Sequence, residues 1–176
     1  MIAVDVLKRI ERAEELYKKY RYKLLQDDEI RNLLDKLNYA IERTWEYMRK
    51  VGVTEICRQC AMETGSCCKR WVEDKYDEYL LLINLLLGVE LPKERYKEDG
   101  CFFVGPNGCR LRAREVICVS FLCDKIINEI GKKEVELQTI AGNELETLFI
   151  LKDRIKSKIE ELRSSDYKSK LGRRIS

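Results

Sequence analysis

Histidine is missing from all 176 residues of this chain. Its absence removes the commonest proton-transfer side chain and the commonest nitrogen ligand for transition metals. Any soft-metal site must therefore be built from thiolates or carboxylates. Proline is scarce as well, with two residues, and nine glycines leave little material for turns; such a composition suits long helices. No apolar run can cross a bilayer. The most apolar stretch, LLLINLLLGV from Leu80 to Val89, falls well short of the roughly 20 residues a spanning helix needs and reads as a buried helix. Charges begin at Asp5, which leaves no apolar signal-peptide core. The expectation is a cytoplasmic protein without membrane association. Charge of one sign is lacking too: 34 Lys and Arg nearly cancel 31 Asp and Glu. A net charge of +3 does not by itself argue for nucleic acid. There is no P-loop, no Gly-x-Gly-x-x-Gly and no C-x3-C-x2-C triad, so no nucleotide-binding or radical-enzyme signature is present.

What the chain does have is cysteine, eight of them, in two groups of four. The first is C-x2-C-x6-C-C, formed by Cys57, Cys60, Cys67 and Cys68. The second is C-x7-C-x8-C-x4-C, formed by Cys101, Cys109, Cys118 and Cys123. Four is the number required by a tetrahedral zinc site or a four-iron cluster. In a reducing compartment such clustering points to metal or redox chemistry. The Lys-, Glu- and Ile-rich, Gln-poor balance resembles that of thermophiles, some of which keep intracellular disulfides, so disulfide pairing stays open as an alternative. Four thiolates around zinc or around a doubly charged cluster leave a net charge near minus two, which basic neighbours would offset. Arg58, Lys69 and Arg70 flank the first group, and Arg110, Arg112 and Arg114 lie within the second. A zinc ribbon would show two C-x2-C knuckles; only one is present. Cys118 and Cys123 are five apart, which on a regular helix would send them to different faces. Each group could close its own site, or the two could interleave.

The pattern around these cysteines is mainly α. Val6, Ile10, Ala13, Tyr17, Tyr20 and Leu24 predict a helix over residues 3–25, and Ile30, Leu33, Leu37, Ile41, Thr44, Trp45 and Met48 predict a second. Their short connection implies an N-terminal helical hairpin, stopped at Gly52. Within the cysteine-rich segment, 54–123, residues 72–87 read as helix and DGCFFVGPNGC as a short loop or hairpin. A helical pattern resumes over 119–130 and closes at Gly131; a long helix follows over roughly 132–163, with Gly142 and Asn143 as a point where it kinks or restarts. The reading is one domain over 1–163, with the two terminal helical parts packed around a metal-binding segment, and a polar basic tail over 164–176.

The segment GCRLRAREVICVSFLC resembles the closing signature of the CxxCxxCC family, eight-cysteine proteins described as zinc- or iron-chelating. That ending has the form C-x7-C-x8-C-x4-C, with an Arg-Pro pair before its third cysteine. Here the four positions fall on Cys101, Cys109, Cys118 and Cys123, Arg114 stands at the arginine, and Asn107-Gly108 is similar to the family's Asp-Gly. Cys57, Cys60, Cys67 and Cys68 resemble its opening cluster. The chain departs from the pattern in a longer loop between Cys60 and Cys67, in Glu115 where proline is usual, and after Cys118. The resemblance covers residues 57–123 and implies metal binding through all eight cysteines, with Arg114 beside the bound group. A related cysteine pattern occurs in flagellin lysine methylases, which implies a third possibility, an accessory or catalytic part in protein lysine methylation.

The expectation that emerges is a cysteine-rich metal-binding protein carrying an iron–sulfur cluster, of the four-iron type, for electron transfer or sensing. Structural zinc is the alternative. Its partner would be a protein or redox partner of unspecified identity. No catalytic residue is assigned, because the carboxylates Glu73, Asp74, Asp77 and Glu78 near Trp71 read as a charged helix face. A dithiol switch on Cys57 and Cys60 ranks low, since no strand precedes Cys57. Nucleic-acid binding through Lys168, Lys170, Arg173 and Arg174 ranks low too, with Tyr167 as the sole interleaved aromatic.

Overall fold

A computed structural model describes residues 5–63 and 67–172, with side chains to residue 167. The helix α1 (Val6–Leu25) starts at Asp5, whose carboxylate accepts from the Leu7 amide, and buries Val6, Ile10, Ala13, Leu16, Tyr20 and Leu24. Only Gln26 and Asp27 separate it from α2 (Asp28–Lys50), where Asp27 accepts from the Ile30 amide and caps the helix start. Apart from Tyr17, which sits half-buried while Leu16 takes the core position, the predicted stripe of α1 is the buried one. The two helices touch, yet each has its main partner elsewhere: α1 packs on α4 (Glu78–Leu86), and α2 on α7 (Lys133–Gly172).

The α2–α7 pair runs antiparallel. Asp27 and Glu29 at the start of α2 bind Arg154 of α7 at 2.7 and 2.6 Å, whereas Tyr47 near its end donates to Glu136 at 2.5 Å. The helix α7 is continuous through Gly142 and Asn143, so the predicted kink is absent: no proline stands there, and Ala141, Glu144 and Leu148 bury on one side of the passage. It also runs nine residues past 163, to Gly172. The side chains of Lys168 and Lys170, and Arg173 and Arg174 altogether, lie outside the described residues.

Between α2 and α7 the chain is more broken than its pattern suggests. Gly52, at φ +88°, takes the left-handed backbone that ends α2 and starts α3 (Val53–Glu63). The predicted helix over 72–87 is two pieces, a 3-10 turn (Arg70–Lys75) and α4, separated because Asp77 leaves helical geometry to cap the Leu80 amide at 2.9 Å. The stretch Gly100–Cys109 forms the predicted hairpin, with β1 (Val104–Gly105) antiparallel to β2 (Gly108–Cys109). The predicted helix over 119–130 is again two, α5 (Val116–Ser120) and α6 (Asp124–Ile130), with Phe121–Cys123 extended between them. No helix among the described residues is long and apolar enough to cross a membrane.

Two apolar clusters result. The larger joins α1, α2, α4, the hairpin and α7, and Cys68, Cys101, Cys109 and Cys118 all belong to it or pack against it. The smaller gathers Tyr47, Val53, Ile126, Ile130 and Leu137, with Ile56, Leu122 and Cys123 against it.

Candidate metal centre

The eight cysteines can be taken as two sets that cut across their order in sequence, although no three of them form a ligand group among the described residues. The inner set is Cys68, Cys101, Cys109 and Cys118. The amide of Cys101 donates to the carbonyl of Cys68 at 2.8 Å, and Lys69 pairs with Gly100 in a single β-bridge, which ties the end of the first sequence group to the start of the second. Cys109 lies opposite Val104 in the hairpin. Cys118 is brought in by α5. Each of Cys101, Cys109 and Cys118 experiences the charge of Cys68, and Cys101 and Cys109 experience that of Cys118. The outer set is Cys57, Cys60, Cys67 and Cys123. Cys57 and Cys60 are three apart on α3 and share a face; Cys123 is the residue that caps α6. Contacts of α3 with α6, including the Lys125–Glu63 ion pair at 3.6 Å, bring the two helices together. Cys57 experiences the charges of Cys123, Cys60 and Cys68, and Cys67 those of Cys68 and Cys57. The two sets meet at the adjacent pair, where the Cys67 and Cys68 side chains share a hydrogen bond.

The surroundings of the two sets are unequal. Burial pushes the Cys101 thiol up to about 12 and the Cys109 thiol up to about 11. Opposing that, the Phe103 amide donates to Cys101 and the Leu111 amide to Cys109, each from two residues further along the chain, and both favour the thiolate. Burial raises Cys118 as well, and the Tyr76 hydroxyl pulls it back by donating to its sulfur at 3.5 Å. Tyr76 is itself fixed by accepting from the Glu115 amide at 3.2 Å and by its ring contact with Phe103, 4.7 Å between centroids.

Arg114 completes this environment. It is 5% exposed, and its guanidinium lies over the Trp45 ring at 4.3 Å. Its Nε and Nη2 have no hydrogen-bond partner among the described residues. Its charge acts on Cys109 and Cys118, favouring both thiolates. A buried cation with idle donors is costly unless an anion completes it. Glu144, fully buried on α7, feels the same guanidinium but is not ion-paired with it. Among the described residues neither carboxylate oxygen has a hydrogen-bond partner; the nearby Thr44 hydroxyl gives its hydrogen to the Ala40 carbonyl at 3.1 Å. Burial raises the Glu144 carboxyl above the usual range.

The outer set is more open to solvent at two of its positions. Cys57 and Cys67 are exposed. Arg58, the nearest cation in sequence to Cys57, is engaged by Glu55 at 2.6 and 2.8 Å. Although Cys57 and Cys67 are exposed overall, partial burial of the sulfur raises the Cys57 thiol, and a hydrogen bond with Cys68 raises Cys67.

A scaffold holds the inner set in place, and sequence patterning did not reveal it. Glu73 is buried and binds Arg95 through both oxygens at 2.7 and 2.8 Å, while also accepting from the Phe102 amide at 2.8 Å. Arg95 in turn donates to the Gly100 carbonyl at 2.6 Å. Asn84 is fully buried and donates to the carbonyls of Leu80 and Ala113 at 3.0 and 2.9 Å; it accepts from the amides of Arg112 and Ala113 at 2.8 and 2.9 Å. It pins the irregular segment before Arg114 to α4. The other carboxylates near Trp71 are also structural: Asp74 pairs with Arg9 at 3.2 Å, and Asp77 caps α4 and binds Lys152 at 2.8 Å. Glu78 borders an open cleft of about 360 Å³ with Arg12, Glu15, Lys19, Tyr20 and Arg163, none of them a cysteine.

The donors fit a soft metal or an iron–sulfur cluster in kind and number: eight thiols, amide donors near sulfur, and a buried guanidinium whose Nε and Nη2 have no hydrogen-bond partner among the described residues. None of the eight cysteines is joined in a disulfide. Among the described residues, no three Cys, Asp or Glu side chains are drawn together into a formed ligand group, so ligation would require the thiols to close further. Compared with protein-family models, with curated proteins and with solved structures, the chain matches none of them.

Proposed function

We propose that this chain is a soft-metal protein with two four-thiolate centres, an inner one on Cys68, Cys101, Cys109 and Cys118 and an outer one on Cys57, Cys60, Cys67 and Cys123. The observation that carries the reading is Arg114: a guanidinium buried against Trp45, with unpartnered N–H groups, whose charge reaches Cys109 and Cys118. A four-thiolate centre supplies the anion that this cation lacks. The inner centre is read as an iron–sulfur cluster of the four-iron type. Such a group supplies one-electron transfer, and its potential responds to hydrogen bonds at sulfur and to burial. The chain's own part is to donate to sulfur from the Phe103 and Leu111 amides and from the Tyr76 hydroxyl, and to balance charge with Arg114. This suits electron transfer or redox sensing with a protein or redox partner.

Structural zinc in the inner set is the second reading, since the same donors hold a tetrahedral ion. Purification without oxygen, followed by a visible spectrum and assays of iron, zinc and acid-labile sulfide, separates the two. Broad visible absorption with iron and sulfide supports the cluster. A colourless protein holding zinc alone supports the structural ion. Metal-free protein with no titratable thiols would overturn both and favour disulfides.

A further inference from the structure

The open cleft of about 360 Å³ between α1, α4 and α7 is lined by Arg12, Glu15, Lys19, Tyr20, Glu78 and Arg163. Its volume lies at the small end of ligand pockets, which span roughly 300–1,000 Å³. Arg12, Glu15 and Lys19 are spaced three and four apart and share one face of α1. Such spacing permits ion pairs along the helix, yet Arg12, Glu15 and Glu78 form none among the described residues, and Arg163 binds no carboxylate there. Lys19 reaches only Asp166, at 4.0 Å. Tyr20 is 2% exposed, and its hydroxyl has no hydrogen-bond partner of regular geometry among the described residues. Burial would raise its phenol, but Lys19 and Arg163 stand close enough to lower it. A sealed hydroxyl and two cations therefore converge at one end of the cleft. The carboxylates lie towards the other. Lys152 and Lys156 hold Asp77, the residue before Glu78, at 2.8 and 3.9 Å, and Arg163 stands seven residues further along α7, about 10 Å along the helix axis.

We infer that this cleft binds a small amino-acid zwitterion, its carboxylate against the Tyr20 hydroxyl, Lys19 and Arg163, and its ammonium towards Glu15 and Glu78. Arg12 offsets one of the two carboxylates, so their end carries one net negative charge, which suits a single ammonium. A guanidinium and a phenolic hydroxyl are both donors to carboxylate oxygens. A ligand with two anionic groups would meet repulsion at Glu15 and Glu78, and a diamine at Lys19 and Arg163; that pair of penalties selects for one charge of each sign. The inference does not depend on metal binding at the cysteines.

Isothermal titration of the full reduced chain tests this, with each of the twenty common amino acids added in turn. Succinate, which lacks the ammonium, and putrescine, which lacks the carboxylate, are the single-sign controls. At least one amino acid should bind saturably with a Kd of about 1 mM or tighter, and both controls should bind at least about tenfold more weakly. Y20F and E78Q should each weaken binding about tenfold, the size expected for one lost hydrogen bond to a charged group. R163M should do the same from an exposed position, where loss of the fold is not at issue. Either control bound as tightly as the best amino acid would overturn the zwitterion. No saturable binding of any amino acid would overturn the site and leave the metal reading untouched. Unchanged affinity in R163M, and in a Y20F chain whose circular dichroism matches the parent's, would place the binding elsewhere and overturn the inference as well.

Discussion

Asn84→Ala probes the support of the inner centre most sharply. The side chain makes four hydrogen bonds of 2.8 to 3.0 Å, three of them to Arg112 and Ala113. Ala113 is 1% exposed, so truncation strands its amide and its carbonyl without solvent. At about 1–3 kcal/mol for each stranded buried group, the loss is about 4 kcal/mol. In a chain of this size that lowers the melting temperature on the order of 10 °C. Urea unfolding of the metal-free reduced chain measures the first quantity, and calorimetry the second. Asn84→Leu separates polar from steric loss: it refills the volume without restoring any bond and should be about as destabilised as the alanine variant. Because Asn84 positions the segment that carries Arg114, zinc affinity should fall in the inner set and stay unchanged in the outer one. A cost below about 1 kcal/mol for both variants, or equal loss from both sets, would refute the claim that this asparagine holds the site.

Three further outcomes follow from the same geometry. Glu73→Gln removes the carboxylate that binds Arg95 and the Phe102 amide; with the Arg95 side chain 19% exposed, the loss should be about 2–3 kcal/mol in urea unfolding, below the full cost of breaking a sealed pair. Glu144→Gln should alter how stability depends on pH. The folded carboxyl titrates above its unfolded value, so its stabilising contribution is complete below the ordinary carboxylate range and is lost as pH rises through the raised value. The glutamine variant should therefore gain on the parent chain between mildly acidic and alkaline pH; parallel stability curves would refute this. Arg114→Met keeps the contact with Trp45 but removes the charge near Cys109 and Cys118. Inner-set zinc affinity should fall by about 10- to 100-fold, read by competition with a chelator, and the deficit should narrow as pH rises and the thiols ionise without help.

The long helices were legible because their core contacts repeat every three or four residues, and Ile10, Ala13, Ile41 and Ile159 mark them without any partner being known. Gly52, Gly131 and the Gly-Pro-Asn-Gly turn announced their breaks for a local reason, backbone that other residues adopt at a cost. The short helix α3 was not legible: Val53 alone of its residues is buried, too sparse a stripe to register a period. The division of 119–130 into α5 and α6 depends on extended backbone at Phe121–Cys123, which no proline or glycine signals. Within the site, Arg114 could be singled out only through the resemblance of its segment to the CxxCxxCC signature; spacing alone left it one of three arginines, with Arg110 and Arg112. Its stacking on Trp45, 69 positions earlier in the chain, could not. The same holds for Glu73 with Arg95 and for Asn84 with Ala113, pairs separated by 22 and 29 positions. Periodicity reports which face a residue occupies, whereas these partners are fixed only when the chain closes. The proposed assignment of Cys67 and Cys68 to different centres belongs to the second kind, because it draws on the Lys69–Gly100 bridge.

That adjacent pair gives the most direct test of two centres. Cys67→Ser and Cys68→Ser, each purified without oxygen and assayed for iron, sulfide and zinc per chain, should lose different halves of the parent's metal. Cys68→Ser should lose what Cys101→Ser loses, and Cys67→Ser what Cys57→Ser loses. If both serine variants at 67 and 68 lose the same metal and retain the same remainder, the two-centre account is contradicted.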